Sequence, residues 1–206
     1  MADTGNRAIR MLSGAWVAGS TTGNAGSSNN AVGTSATFYN PVAVRADLAG
    51  GVLYVADPGY SYIRMVSTSG SHSVTTLASG VYAYDIALYP EQQVMYAGGK
   101  LSIVTYTGNV SLLAGGGSSG ADGGGSAAGL SITGVALDSL AGVLYATDTS
   151  IHRIRCITIA GVVTTVAGWS QGFVNGAGTL AAFNYPYGVA LDAASGSLYV
   201  TDRANS

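Results

Sequence analysis

The sequence predicts an all-β chain built from repeated four-stranded antiparallel sheets, on three observations. Short apolar phrases rich in Val, Ile, Tyr and Thr recur between Gly, Ser, Asn and Asp. They recur in a fixed order. No stretch of 11 or more residues carries a sustained 3.6-residue apolar period, so helices are expected to be essentially absent.

The clearest phrase is Leu53-Tyr54-Val55-Ala56-Asp57, repeated as Leu144-Tyr145-Ala146-Thr147-Asp148 and Leu198-Tyr199-Val200-Thr201-Asp202. A weaker copy is Met95-Tyr96-Ala97-Gly98-Gly99, and Ala2-Asp3 keeps the end of another. Ile then Arg follow the Asp in three copies, Ile9-Arg10, Ile63-Arg64 and Ile154-Arg155. A third phrase reads Ser73-Val74-Thr75-Thr76-Leu77-Ala78, Asn109-Val110-Ser111-Leu112-Leu113-Ala114 and Val162-Val163-Thr164-Thr165-Val166-Ala167, with Ala15-Trp16-Val17-Ala18 as its degenerate form. The fourth, near-continuously apolar at 42–44, 86–88, 135–137 and 189–191, suits an inner strand covered on both faces. The Val-Thr-Thr phrase suits an outer strand, since threonine keeps β propensity and tolerates water. Gly-rich stretches at 19–37, 115–129 and 168–182 read as connections between sheets.

Equivalent Asp positions lie 54, 42, 49 and 54 residues apart, with Gly99 standing in for one Asp. Four short strands in such a unit match the blade of a β-propeller, whose sheets stack to bury both faces. Repeats are placed at 1–40 (partial), 41–80, 81–130, 131–184 and 185–206 (partial), about four blade equivalents in one domain. Two arrangements fit the count: a closed ring in which the two ends share a blade, or, as expected here, part of a larger propeller.

The motifs "LYVAD" followed by "IR", "VTTVAG", "DGGGSAAG" at 122–129 and "NGAG" leading to "AAFNYPYGVALD" within 172–192 resemble the NHL repeat family. The resemblance covers nearly the whole chain and weakens between 81 and 115. It implies a propeller, usually of six blades, that serves in some members as a protein- or RNA-binding platform. A few relatives are lyases or hydrolases with metal sites near the central channel.

Composition narrows the function classes. A hydrophobic share of 48% supports a packed core, while charged residues make up 9%, against roughly 25% in an average soluble domain. With 8 basic and 10 acidic residues the net charge is −2, so neither nucleic acid nor a membrane surface is an expected partner. No run approaches the ~18 apolar residues of a membrane span. A single cysteine, Cys156, excludes an internal disulfide framework and a CxxC metal site, and reads as a small buried thiol.

No catalytic, cofactor-binding or metal-ligating residue is assigned. His72 and His152 stand apart, without a second His or Cys at ligand spacing. The run Gly115-Gly116-Gly117-Ser118-Ser119-Gly120 lacks the Lys and helix of a phosphate loop. Three Asp/Arg pairs, Asp3/Arg10, Asp57/Arg64 and Asp148/Arg155, each seven residues apart, read as repeated structural ion pairs or as Asp capping its own turn. The competing reading is an arginine ring for an acidic partner. Asn109 heads the sequon Asn109-Val110-Ser111 and is a candidate for an N-linked glycan. Tyr39, Tyr60, Tyr62, Tyr185 and Tyr187 stand at loop ends, where rigid amphipathic side chains suit recognition, while packing within the repeat is the plainer reading for most of the tyrosines.

The expectation is a non-catalytic scaffold that binds protein partners or further copies of itself, without a cofactor, outside the cell or at its surface. The alternative is a fragment of a propeller lyase or hydrolase whose catalytic residues lie outside this chain.

Overall fold

The computed structural model describes residues 1–117 and 120–205. Two compact units divide the chain: Met1–Met95 with Val104–Val110, and Tyr96–Ile103 with Ser111–Ser206. The first holds a three-stranded sheet of β1 (Ala2–Asp3), β2 (Ala8–Arg10) and β3 (Trp16–Ala18). It also holds a four-stranded sheet of β4 (Ala43–Asp47), β5 (Val52–Asp57), β6 (Tyr62–Ser67) and β7 (Val74–Ser79), in that spatial order. A further sheet, β8 (Ile86–Tyr89), β9 (Val94–Ala97), β10 (Leu101–Thr105) and β11 (Val110–Ala114), carries the division between the units. The second unit adds β12 (Gly123–Gly124), β13 (Ile132–Asp138), β14 (Val143–Asp148), β15 (Arg153–Thr158) and β16 (Val162–Ala167). Its last sheet pairs β17 (Pro186–Asp192) with β18 (Ser197–Asp202).

Apart from β12, the strands of each sheet form an antiparallel meander, so sequence order becomes spatial order. The near-continuously apolar phrase forms the first strand, at one edge, and the Val-Thr-Thr phrase the fourth, toward the other. β4 lies against β8 in the first unit, and β13 against β17 in the second. The β13 contact is backbone-close: a Cβ on Gly134 would stand 2.6 Å from the Tyr187 carbonyl oxygen. Only glycine permits that approach.

The core sits between neighbouring sheets. Ile9, Val17 and Ala18 of the first sheet pack with Val55, Val66 and Val74 of the second, and Ala36 and Phe38 of the intervening connection fill the seam. Each fully buried aliphatic side chain there contributes about 1.5–3 kcal/mol, which no single sheet could supply alone.

Three features differ from the sequence expectation. The 115–129 connection is not wholly irregular: β12 pairs with β16, Gly123 opposite Val163. Asn30 of the 19–37 connection makes the matching bridge to Val74 of β7. In both places the connection covers the free edge of the fourth strand of the sheet it leads into. Second, three-residue 3-10 turns link the middle strands, as at Pro58–Tyr60 and Thr149–Ile151, each closed by a left-handed residue, Ser61 and His152. Third, Cys156 on β15 is half-buried instead of enclosed, and burial pushes its thiol pKa up.

Candidate functional site

The site begins with a β-bulge. The pairing of third and fourth strands slips between Ile9 and Arg10, between Ile63 and Arg64, and between Ile154 and Arg155. Each slip sets the Arg opposite one residue of the fourth strand: Trp16, Thr76 or Thr165. A bulge re-aims the side chain that follows it. Here it recurs at the same Ile-Arg step.

Arg64 is fully buried, and its guanidinium donates to the Thr37 carbonyl at 3.1 Å, the Ser28 carbonyl at 2.9 Å and Asn29 Oδ1 at 2.9 Å. It also lies over the Phe38 ring, 5.1 Å from the centroid. Arg155, equally buried, donates to the carbonyls of Gly120 at 2.8 Å and Ala121 at 2.9 Å and to Asp122 Oδ1 at 3.0 Å. The fourth strand completes each cage: the Thr76 hydroxyl donates to Asn29 Oδ1 at 3.1 Å, and the Thr165 hydroxyl to Asp122 Oδ1 at 2.8 Å. These arginines therefore hold the Gly-rich connection that leads into their own sheet. β10 carries no arginine, and the connection leading into its sheet, 80–85, is short.

The aspartates hold the end of the same connection. Asp57 accepts the Tyr39 amide at 3.0 Å and the Asn40 amide at 2.7 Å. Asp148 accepts the Ser131 amide at 3.0 Å, and Asp202 the Asn184 amide at 2.7 Å. The structure thus corrects the turn-capping reading: neither Asp57 nor Asp148 caps its own 3-10 turn with its side chain. Two of the three Asp/Arg pairs come together, Asp3 with Arg10 at 3.0 Å and Asp148 with Arg155 at 3.3 Å. Asp57 and Arg64 do not: among the described residues the ion pairs omit them, and the Arg64 acceptors are neutral.

Electrostatics follows burial. Burial pushes the Asp148 carboxyl above the usual range, against the Ser131 amide and the Arg155 charge. It lowers the Arg155 and Arg64 pKa values, opposed by nearby aspartates. At Asp122 burial also disfavours charge, yet the Thr165 hydrogen bonds and the Arg155 charge outweigh it and hold the carboxyl low. A hydrogen bond from Asn6, then Arg10, keeps half-buried Asp3 below its ordinary value.

Three connections of the first unit converge at one end of its strands and carry the tyrosines. Tyr39 meets Tyr60 edge-on at 5.1 Å, and Tyr60 stacks on Tyr62 at 5.9 Å. The Val81 amide donates to the Ser61 carbonyl at 2.9 Å, which brings the 80–85 connection alongside. There Tyr82 and Tyr84 meet at 5.3 Å and share a hydroxyl hydrogen bond of 2.7 Å. Sequence reading missed Tyr82 and Tyr84, whose signal is the same: aromatics in a short connection. In the second unit Tyr185 packs edge-on against His152 at 4.8 Å and donates its amide to the His152 Nδ1 at 3.0 Å. Tyr187 lies beneath the Arg203 guanidinium, 5.3 Å away.

The remaining candidates are placed as follows. His72, in the β6–β7 turn, has its Nδ1 2.9 Å from the Ser67 carbonyl. Among the described residues no three His, Cys, Asp or Glu side chains stand where they could hold a metal ion. Of the 115–120 run, Ser118 and Ser119 lie outside the described residues; the Gly115 and Gly117 amides bind the Gly125 and Ala128 carbonyls. Asn109 is exposed in the β10–β11 turn. A cavity of about 350 Å³ opens beside the first two sheets, lined by Ile9, Val17, Val44 and Leu53, with Arg10 and His72 among its walls.

No family profile matches the chain, and no curated protein matches it. Solved structures do. An auxiliary nutrient binding protein from Bacteroides ovatus is 20% identical, with a TM-score of 0.72 over 96% of this chain and 56% of its own. One from Bacteroides thetaiotaomicron is 21% identical, with a TM-score of 0.67 over 82% and 47%. A chain of a nidogen/laminin complex is 19% identical, with a TM-score of 0.61 over 79% and 57%. The fold is a β-propeller. The chain spans about half the length of these propellers. Its sheets are blades, and each arginine cage ties an interblade connection to the outer edge of the blade it enters.

Proposed function

We propose that the chain is a non-catalytic, NHL-type propeller scaffold for protein recognition or assembly, acting outside the cell or at its surface. The observation that carries the reading is the tyrosine edge of the first unit, Tyr39, Tyr60, Tyr62, Tyr82 and Tyr84, held by Asp57 and the turn at Ser61. Rigid aromatic side chains with a polar tip give large contact area at low entropic cost, which suits a protein partner. Two similar propellers are named for nutrient binding and one for a nidogen/laminin complex, which accords with a binding role. Exposed Asn109 accommodates an N-linked glycan on a different turn, away from these tyrosines in sequence.

The test compares immobilised wild type with the triple variant Tyr39→Ser, Tyr60→Ser, Tyr82→Ser in capturing proteins from the surface and surrounding medium of the cells that make it. A partner held by wild type and reduced at least tenfold by the variant, at unchanged melting temperature, supports the reading. Equal capture by both, or none by either, contradicts it. Intact mass of the same native protein checks the glycan: a mass increment lost on Asn109→Gln is expected.

A further inference from the structure

We infer that His152 and Tyr185 form a pH-operated latch. The neutral imidazole holds the Tyr185 amide away from its own blade, and protonation of the ring releases that amide to Asp202 and moves the tyrosine.

The inference starts from one hydrogen bond that departs from its counterparts in the repeat. The residue just ahead of the first strand of a sheet gives its amide to the Asp that ends the second strand. Asn40 donates to Asp57 at 2.7 Å, and Ser131 to Asp148 at 3.0 Å. Tyr185 stands at the same place. Ile132 and Pro186 open β13 and β17 opposite Asp148 and Asp202, with the same register shift before Gly134 and Gly188. Asp202 does take the Asn184 amide at 2.7 Å, as Asp57 takes that of Tyr39. The Tyr185 amide goes instead to His152 Nδ1, 3.0 Å away, in the turn between β14 and β15.

The diverted bond goes with an unusual backbone. Tyr185 has a φ of 56°, in the left-handed region, whereas Asn40 and Ser131 keep negative φ. Arg7, Ser61, Gln93 and His152 also have positive φ, but each closes a 3-10 turn. Tyr185 closes none, and it precedes Pro186, where extended backbone is favoured. Its ring lies edge-on against the imidazole, with the centroids 4.8 Å apart. The structure therefore holds a strained form of Tyr185, and the repeat shows twice the form to which it can return.

A ring nitrogen that accepts an N–H cannot carry a proton, so the bond requires the neutral imidazole with its hydrogen on Nε2. Histidine is the side chain that ordinarily gains its charge between about pH 8 and 5. The imidazolium has two donors and no acceptor, and it faces an amide donor. Asp202 can take the freed amide: its Oδ2 now receives the Asn205 side chain at 2.6 Å and has a second lone pair. The charged groups on the elements around His152 are Asp148 ahead of its turn, Arg153 at the start of β15, and Asp202 and Arg203 at the end of β18. The 168–185 connection carries none. Burial pushes the Asp148 carboxyl up, but it binds Arg155 and the Ser131 amide, not Tyr185. Tyr185 is 47% exposed, so the latch changes the surface that the protein presents in neutral and in acidic surroundings.

Nuclear magnetic resonance on the isotope-labelled chain, titrated from about pH 8 to about pH 5, tests the latch. At the upper end a scalar coupling should cross the hydrogen bond between the Tyr185 amide nitrogen and His152 Nδ1. At the lower end it should be lost, and the Tyr185 backbone shifts should move from left-handed to extended values. The midpoint should match that of the His152 ring resonances, while the β14 amides stay in place and report an intact fold. His152→Gln, which puts at this turn the residue that closes the equivalent turn at Gln93, should remove the transition. No coupling at the upper end, a coupling that survives acid, or its loss with the Tyr185 backbone unmoved would each overturn the inference. So would a midpoint that follows Asp148, a change shared by β14, or a transition retained in His152→Gln. The wild-type spectra decide the matter even where the variant does not fold.

Discussion

Arg64 and Asn29 meet at 2.9 Å although 35 residues separate them, and the contact ties an interblade connection to a fully buried cation. Arg155 and Asp122 repeat the contact at 3.0 Å in the second unit. What differs is charge. The hydrogen-bond acceptors of the first cage are neutral; those of the second include two aspartates.

That difference sets the cost of removing each arginine. Arg155→Met leaves Asp148 buried without its counter-charge and should cost about 3–5 kcal/mol. Arg64→Met breaks no ion pair, since buried Asp57 keeps the Tyr39 and Asn40 amides, but it leaves unpaired carbonyl and amide oxygens, some of which water can reach, and should cost about 1–3 kcal/mol. Denaturant unfolding of the two variants checks the order. Equal losses would show that the Asp148 pair adds nothing.

The second cage should also feel acid. The Asp122 carboxyl is held below its unfolded value, so it binds its proton less readily when folded. Its contribution is therefore complete above the unfolded pKa of about 3.9 and is lost as pH falls through the lower folded value. Asp122→Asn, which copies the neutral Asn29 acceptor, should flatten the fall in melting temperature below about pH 4. An unchanged profile would mean that other carboxylates dominate.

Blade contact can be probed at one glycine. Gly134→Ala would put a methyl 2.6 Å from the Tyr187 oxygen and 2.9 Å from the Gly188 Cα, both backbone atoms that cannot swing aside. The strands β13 and β17 must separate, at a cost of about 1–3 kcal/mol. Gly5→Ala meets nothing within 4 Å and should stay within about 0.5 kcal/mol of wild type. Thermal melting of both separates contact from a general intolerance of alanine.

Much of the fold was legible in the sequence because strand phrases repeat side chains. Leu-Tyr-Val-Ala-Asp marks second strands wherever it occurs, and apolar continuity marks first strands, since both depend on which faces are covered. The arginine repeat was visible too. Its partners were not, because most are main-chain oxygens, and a carbonyl has no sequence signature. Asn29 and Asp122 could have been found by noting an Asn or Asp inside each Gly-rich connection that leads to an Ile-Arg strand. The seven-residue spacing of Asp57 and Arg64 suggested an ion pair, but the Asp turns toward the Tyr39 and Asn40 amides and the Arg toward the connection. Spacing along a hairpin puts the two side chains on one face of the sheet, but does not decide which partners each then takes.

Amide hydrogen exchange on wild type, Arg64→Met and Arg155→Met tests most directly whether the repeated arginines hold the interblade connections. Exchange should accelerate in residues 26–37 for the first variant and 120–128 for the second, each in its own connection, while the central strands β5 and β14 remain protected. Unchanged exchange in both connections, or equal acceleration across a whole unit, would contradict that role.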